Sequence, residues 1–139
     1  MIFLSLQSSS KCVSVSLHSQ EVLLNYKRTN IIKKKQSESL MTLLENLFSE
    51  VKIKHIDKIY ISRGPGSYTS LRALMSIAKG ISLAFNAKIE TITTFEAFIP
   101  NNSKKCEYIL IFFKENRPEF HFQIFKVFPV PFDLGRVRH

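Results

Sequence analysis

The sequence predicts a mixed α/β fold with elements in the order βββαβαβα, followed by a β-hairpin. Three observations carry this prediction. Short β-branched and aromatic runs alternate with two long stretches of helical periodicity. A glycine turn, Gly64-Pro65-Gly66-Ser67, joins one strand directly to one of those helices. A polar stretch, Asn101-Asn102-Ser103-Lys104-Lys105, separates this part from a phenylalanine-rich segment. With 139 residues, 45% of them hydrophobic, the chain can bury a sizeable core and does not read as disordered.

Residues 2–6, 11–17 and 21–26 read as three strands. His18-Ser19-Gln20 is a hairpin-sized gap between the last two, so the opening suits an antiparallel meander. Ser37 can cap a helix over residues 38–48, in which Leu40, Leu43, Leu44 and Leu47 form the core stripe and Met41 and Phe48 flank it. Ile59, Tyr60 and Ile61 end a buried strand that stops at Arg63. In the turn that follows, Gly64 and Gly66 are free to take positive φ around Pro65, and Ser67 or Thr69 can accept the first orphan N–H groups of the next helix. That helix runs from Tyr68 to Phe85, with Leu71, Leu74, Ala78, Ile81 and Phe85 as the stripe for the sheet. A second stripe, Ala73, Ile77, Gly80 and Ala84, is mostly small and lets another helix approach closely. Residues 88–93 read as a fifth strand, and Thr94 can cap a short helix over 95–98 before Pro100 ends it. Residues 108–113 and 119–127 read as a hairpin turning near Asn116-Arg117-Pro118.

A glycine turn before a helix invites phosphate and nucleophile chemistry, because the helix start offers free N–H groups and a positive dipole end. Spacing argues against each enzymatic reading. A nucleotide phosphate loop needs Lys right after its second glycine, and here no lysine follows Gly66 before Lys79. A dinucleotide fingerprint and a nucleophile elbow both need glycine where Thr69 stands. Ser67 has no base visible in the sequence, which leaves capping as its expected role. From the residues alone, the turn is a tight helix start.

The same residues carry a family resemblance. Gly64-Pro65-Gly66-Ser67-Tyr68-Thr69-Ser70-Leu71-Arg72, then Ala78-Lys79-Gly80 and Thr93-Thr94-Phe95-Glu96-Ala97-Phe98, resemble the signature of the TsaB/YeaZ family. Tyr68 and Ser70 depart from the usual Phe and Gly of that motif. The resemblance extends more weakly from Met1 to about Phe125. It implies a ribonuclease H-like, actin-like ATPase half over residues 1–103 and a hairpin at 104–128 that begins a truncated second half. Residues 129–139 match nothing in the family, and their breakers Pro129, Pro131 and Gly135 predict a disordered tail. The resemblance further implies a non-catalytic scaffold subunit of the machinery that installs threonylcarbamoyladenosine beside the tRNA anticodon. Such a subunit holds and activates a TsaD-type catalytic subunit alongside a TsaE-type ATPase, so ATP and metal are expected on the partners and no cofactor in this chain. Where the family commonly has Asp-Thr at the first strand's end, this chain has Gln7-Ser8, and a second family aspartate aligns with Lys114. Both changes remove charge that could manage a hydrated cation.

The rest of the inventory is spare. His18, His55, His121 and His139 show no ligand spacing, and Cys12 and Cys106 form neither a metal site nor a disulfide framework. The apolar opening at residues 2–6 has no basic residue before it and breaks at Gln7, and no run approaches membrane-spanning length, so a cytoplasmic protein without membrane contact is expected. The net charge of +9 gathers at Lys33-Lys34-Lys35, around Lys52, Lys54 and Lys58, and at Lys104-Lys105. These clusters lack interleaved aromatics, so they read as a solvated surface with at most weak tRNA contact.

The resulting expectation is a binding subunit with no catalytic and no metal residue. One stripe of each long helix faces the sheet. Met41, Glu45 and Phe48 on the first helix and Arg72, Met75 and Lys79 on the second remain for a partner. In the resembled family such a helix pair docks with two helices of a partner or of a second copy, so a homodimer through the same helices is a further expectation. Two alternatives stay open: an ATP-binding phosphotransferase or peptidase-like hydrolase of the actin-like superfamily, and a truncated, non-functional relic.

Overall fold

A computed structural model describes residues 1–8, 12–20, 22–30, 36–100, 107–114, 120–126 and 132–133. The chain divides into two compact units, Met1–Ile92 and Thr93–His139.

The first unit is a five-stranded sheet with two helices. β1 (Ile2–Gln7), β2 (Cys12–Ser19) and β3 (Val22–Asn30) form the expected antiparallel meander, and β4 (Lys58–Ser62) and β5 (Lys88–Ile92) join it in parallel. The strand order is β3-β2-β1-β4-β5. Alternation in the strands sends Leu4, Leu6, Val13, Val15, Leu17, Ile59 and Ile61 to one face, where all are buried. On that face lie α1 (Gln36–Glu50) and α2 (Tyr68–Phe85), which close a single core with Leu40, Leu43, Leu44, Leu47, Leu74 and Ala78. The α2 bounds coincide with those expected from its periodicity. Ser37, expected as the cap of α1, lies within its first turn, because the helix already begins at Gln36. Lys33-Lys34-Lys35 lies outside the described residues.

The turn into α2 differs in detail from expectation. Gly64 has φ +104°, a conformation that side-chain-bearing residues avoid, whereas Gly66 at φ 159° is nearly extended. The peptide bond before Pro65 is cis. Ser67 stands at the N-cap, yet its side chain makes no cap hydrogen bond, and Thr69 is exposed in the first turn. The helix start is held by its backbone: the Leu71 N–H donates to the Ser67 carbonyl at 2.9 Å. At the other end Asn86 takes the left-handed conformation (φ 52°, ψ 38°) and its N–H donates to the Ser82 carbonyl.

The second unit begins earlier than the expected boundary after residue 103. Its short helix α3 (Thr94–Ala97) brings Phe95 into a stack with Phe113 at 4.7 Å between centroids, and Phe98 lies 5.8 Å from the same ring. Thr93, and not Thr94, is the cap. The Thr93 hydroxyl accepts from the Glu96 N–H at 3.1 Å while the Glu96 carboxylate accepts from the Thr93 N–H, a complete capping box. β6 (Tyr108–Lys114) and β7 (Phe120–Lys126) form the expected hairpin, with its turn outside the described residues. Phe132 and Asp133, expected within a disordered tail, form β8 (Phe132–Asp133) and pair with Phe125 and Lys126. The rest of residues 129–139 lies outside the described residues, as do Asn101 to Lys105 and Cys106. Phe125 is buried and Phe113 stacked, whereas Phe112 and Phe120 remain 65% and 59% exposed.

Candidate functional site

The two long helices meet along one flank each. Phe48 near the end of α1 and Phe85 at the end of α2 lie 6.2 Å apart in a tilted pair, which ties the helices together at that end. Toward solvent they part and leave a groove of about 290 Å³ with apolar walls, lined by Met41, Leu44, Glu45, Phe48, Ile77, Gly80 and Ile81. Met41 is 45% exposed on its rim. Gly80 lines the groove, and a Cβ placed there would meet no atom within 4 Å. The chain's own packing therefore makes no use of the missing side chain. Glycine inside a helix is unfavourable by roughly 1 kcal/mol relative to alanine.

Met41, Glu45 and Phe48, expected for a partner, come together in this groove. Arg72, Met75 and Lys79 do not line it. Helical rotation of about 100° per residue places Met75 and Lys79, each two positions from Ile77, on the opposite flank of α2. Met75 is half-buried and packs against the core, which corrects its expected outward position. Lys79 is exposed, and Arg72 lies 5.4 Å from the centroid of the Tyr68 ring. The residues that reading by stripes missed are Leu44 and Ile81, because side chains at the edge of a core stripe also wall the space between two helices. Ile77 and Gly80 were already visible in the small-residue stripe.

The residues of the turn motif are not among those that line the groove. Gly64 is buried with its α-carbon side toward Leu71, whose Cδ1 would lie 3.2 Å from an added Cβ. Pro65 and Gly66 are half-buried, and Ser67 and Thr69 exposed. Gln7 closes β1 in the sheet of the first unit, and Lys114 closes β6 in the separate sheet of the second. Among the described residues, no three His, Cys, Asp or Glu side chains gather as a metal-binding group. His18 Nε2 lies 3.0 Å from Ser16 Oγ, and His55 Nε2 lies 3.6 Å from an Asp57 carboxylate oxygen. Among the described residues, no helix is long and apolar enough to cross a membrane.

With this geometry in view, comparisons with known proteins decide the family. A family model described as "TsaD: tRNA N6-adenosine threonylcarbamoyltransferase" matches residues 25–111. A curated relative, the tRNA threonylcarbamoyladenosine biosynthesis protein TsaB of Buchnera aphidicola subsp. Acyrthosiphon pisum (strain APS), is 27% identical over 106 residues, 75% of this chain. The chain belongs to this family, as a TsaB/YeaZ member. YeaZ from Pseudomonas aeruginosa shares the fold with a TM-score of 0.80 at 18% identity, over 96% of this chain and 64% of its own. A second structure, described as similar to peptidase YEAZ from Pseudomonas aeruginosa, gives 0.78 at 18% identity, over 96% of this chain and 63% of its own. The chain thus has the actin-like, ribonuclease H-like fold of these YeaZ structures. The chain spans 47% of the length of the Buchnera relative.

Proposed function

We propose that this chain is a non-catalytic partner subunit in tRNA threonylcarbamoyladenosine biosynthesis, and that it docks a TsaD-type catalytic subunit, alongside a TsaE-type ATPase, through the α1/α2 face. The observation that supports this best is the open groove between the helices, lined in part by Gly80. A helix can approach closely beside a glycine, and an apolar side chain seated beside Met41, Phe48 and Ile77 gains roughly 1.5 to 3 kcal/mol on full burial. Glu45 edges the groove and fits a cation on the incoming helix. The same surface can serve a second copy of the chain. Gln7 at the strand end and the failed phosphate-loop spacing favour a scaffold over an ATP enzyme.

Co-purification with the TsaD-type protein of the same source tests the reading, using Gly80→Gln as the discriminating variant. Glutamine is a good helix former and Gly80 faces open space, so the variant is expected to fold with stability equal to or above the parent. Its side chain fills the groove, and association is expected to fall at least tenfold, or about 1.4 kcal/mol. A folded Gly80→Gln chain that binds as before would exclude the groove as the docking site. An intact parent chain that captures no TsaD-type protein would exclude the partner.

A further inference from the structure

Both helices of the first unit cover one face of its sheet, and the strand register shows what stands on the other. Tyr26, Ser16, Ser5 and Tyr60 are consecutive partners across β3, β2, β1 and β4. The neighbouring row runs Leu23, His18, Phe3, Lys58 and Lys88. On the other side Arg28 pairs with Ser14 and Ser14 with Gln7. Among the described residues of this unit, no helix lies on this face. Tyr26 is 46% exposed, Arg28 and Lys88 are exposed, and Phe3 and Tyr60 meet edge to face at 5.9 Å.

We propose that this face binds single-stranded RNA. Ser16 and Ser5 stand on adjacent strands between Tyr26 and Tyr60, which lie three strand spacings or about 14 Å apart. Aromatic rings exposed on a sheet stack unpaired bases, the serine hydroxyls and His18 supply hydrogen bonds, and Arg28, Lys58 and Lys88 meet phosphates. Glu90 pairs with Lys88 at 2.9 Å and Lys58 at 3.5 Å and leaves the face cationic on balance. Arg28 lies two residues from Tyr26 and Lys58 two from Tyr60, so alternation along β3 and β4 puts each cation on the same face as its ring. The site is distinct from the α1/α2 groove and does not depend on the docking proposed there.

Fluorescence anisotropy of a labelled single-stranded oligoribonucleotide of about ten nucleotides, titrated with the full chain, tests this. Binding is expected to weaken as salt rises, with a log–log slope of about −2 for three phosphate contacts. Tyr26→Ala is expected to weaken binding about fivefold or more. Arg28→Glu is expected to weaken it and flatten the slope, with native circular dichroism in both variants. Arg72→Glu, a charge reversal on α2, serves as control. Equal loss for Arg72→Glu and Arg28→Glu, or no loss for Tyr26→Ala, would overturn the proposal. So would sedimentation with phosphatidylserine vesicles tighter than RNA binding and unaffected by Tyr26→Ala, which would assign the face to a lipid surface.

Discussion

Gly64 is the residue at which backbone and packing agree most narrowly. Its φ of +104° suits glycine, and an added Cβ would lie 3.2 Å from Leu71 Cδ1. Gly64→Ala is therefore expected to cost at least about 1 kcal/mol of stability, read as a lower urea midpoint at unchanged slope. Thr93 shows a different dependence. Its hydroxyl and the Glu96 carboxylate satisfy two backbone donors at the start of α3, so Thr93→Ala is expected to cost about 1 kcal/mol and to leave α2 untouched. Amide exchange should then quicken around residues 93–97 alone. The sequence points to a cap one residue late because Thr93 and Thr94 are chemically alike, and only the turn geometry selects between them.

Between elements, α1 is tied to the meander by one carboxylate. Glu50 accepts from Lys27 Nζ at 2.6 Å and from Asn25 Nδ2 at 3.0 Å, and the Lys27 hydrogen bond, followed by that of Asn25, holds its pKa below the ordinary carboxylate value. A carboxyl with a lowered folded-state pKa stabilises the fold above its unfolded value and loses that contribution as pH falls through the folded one. Glu50→Gln is expected to flatten the acid limb of the stability curve below the normal carboxylate range and to leave neutral behaviour nearly unchanged, since exposed pairs contribute little. High salt should reduce the difference between the two proteins. The core of the same layer depends on α2. Leu74 is fully buried between helix and sheet, and Leu74→Ala is expected to cost about 2–5 kcal/mol by thermal or urea unfolding.

For the whole molecule, the scaffold reading predicts that calorimetric titration with magnesium and ATP shows no tight binding; micromolar affinity, about −8 kcal/mol, would restore an enzymatic reading. The long, strongly periodic elements are legible in the sequence itself. α2 has the bounds its apolar spacing gives it, α1 keeps its leucine stripe, and the meander and hairpin follow from alternating runs between turn residues. The Gly64-Pro65-Gly66-Ser67 turn is legible as a helix start, although its cap is backbone-made. The candidate site is legible in half. Met41, Glu45 and Phe48 line the groove, whereas Met75 packs on the core and Ile81 lines the opening. Periodicity in one helix reports how much of its surface is apolar. It does not report the rotation that packing against a second helix selects, so the division between core and groove is a tertiary outcome. The sheet register is tertiary in the same sense. Residues as distant as Phe3, Tyr26 and Tyr60 reach one face only because pairing from β3 to β4 sets them there. By itself the sequence determined the order of elements as far as β7, the glycine turn and the family, because each depends on residues close together along the chain. The groove, the sheet face that no described helix of the first unit covers, and the grouping of α3 with the hairpin were decided by contacts between residues far apart in it.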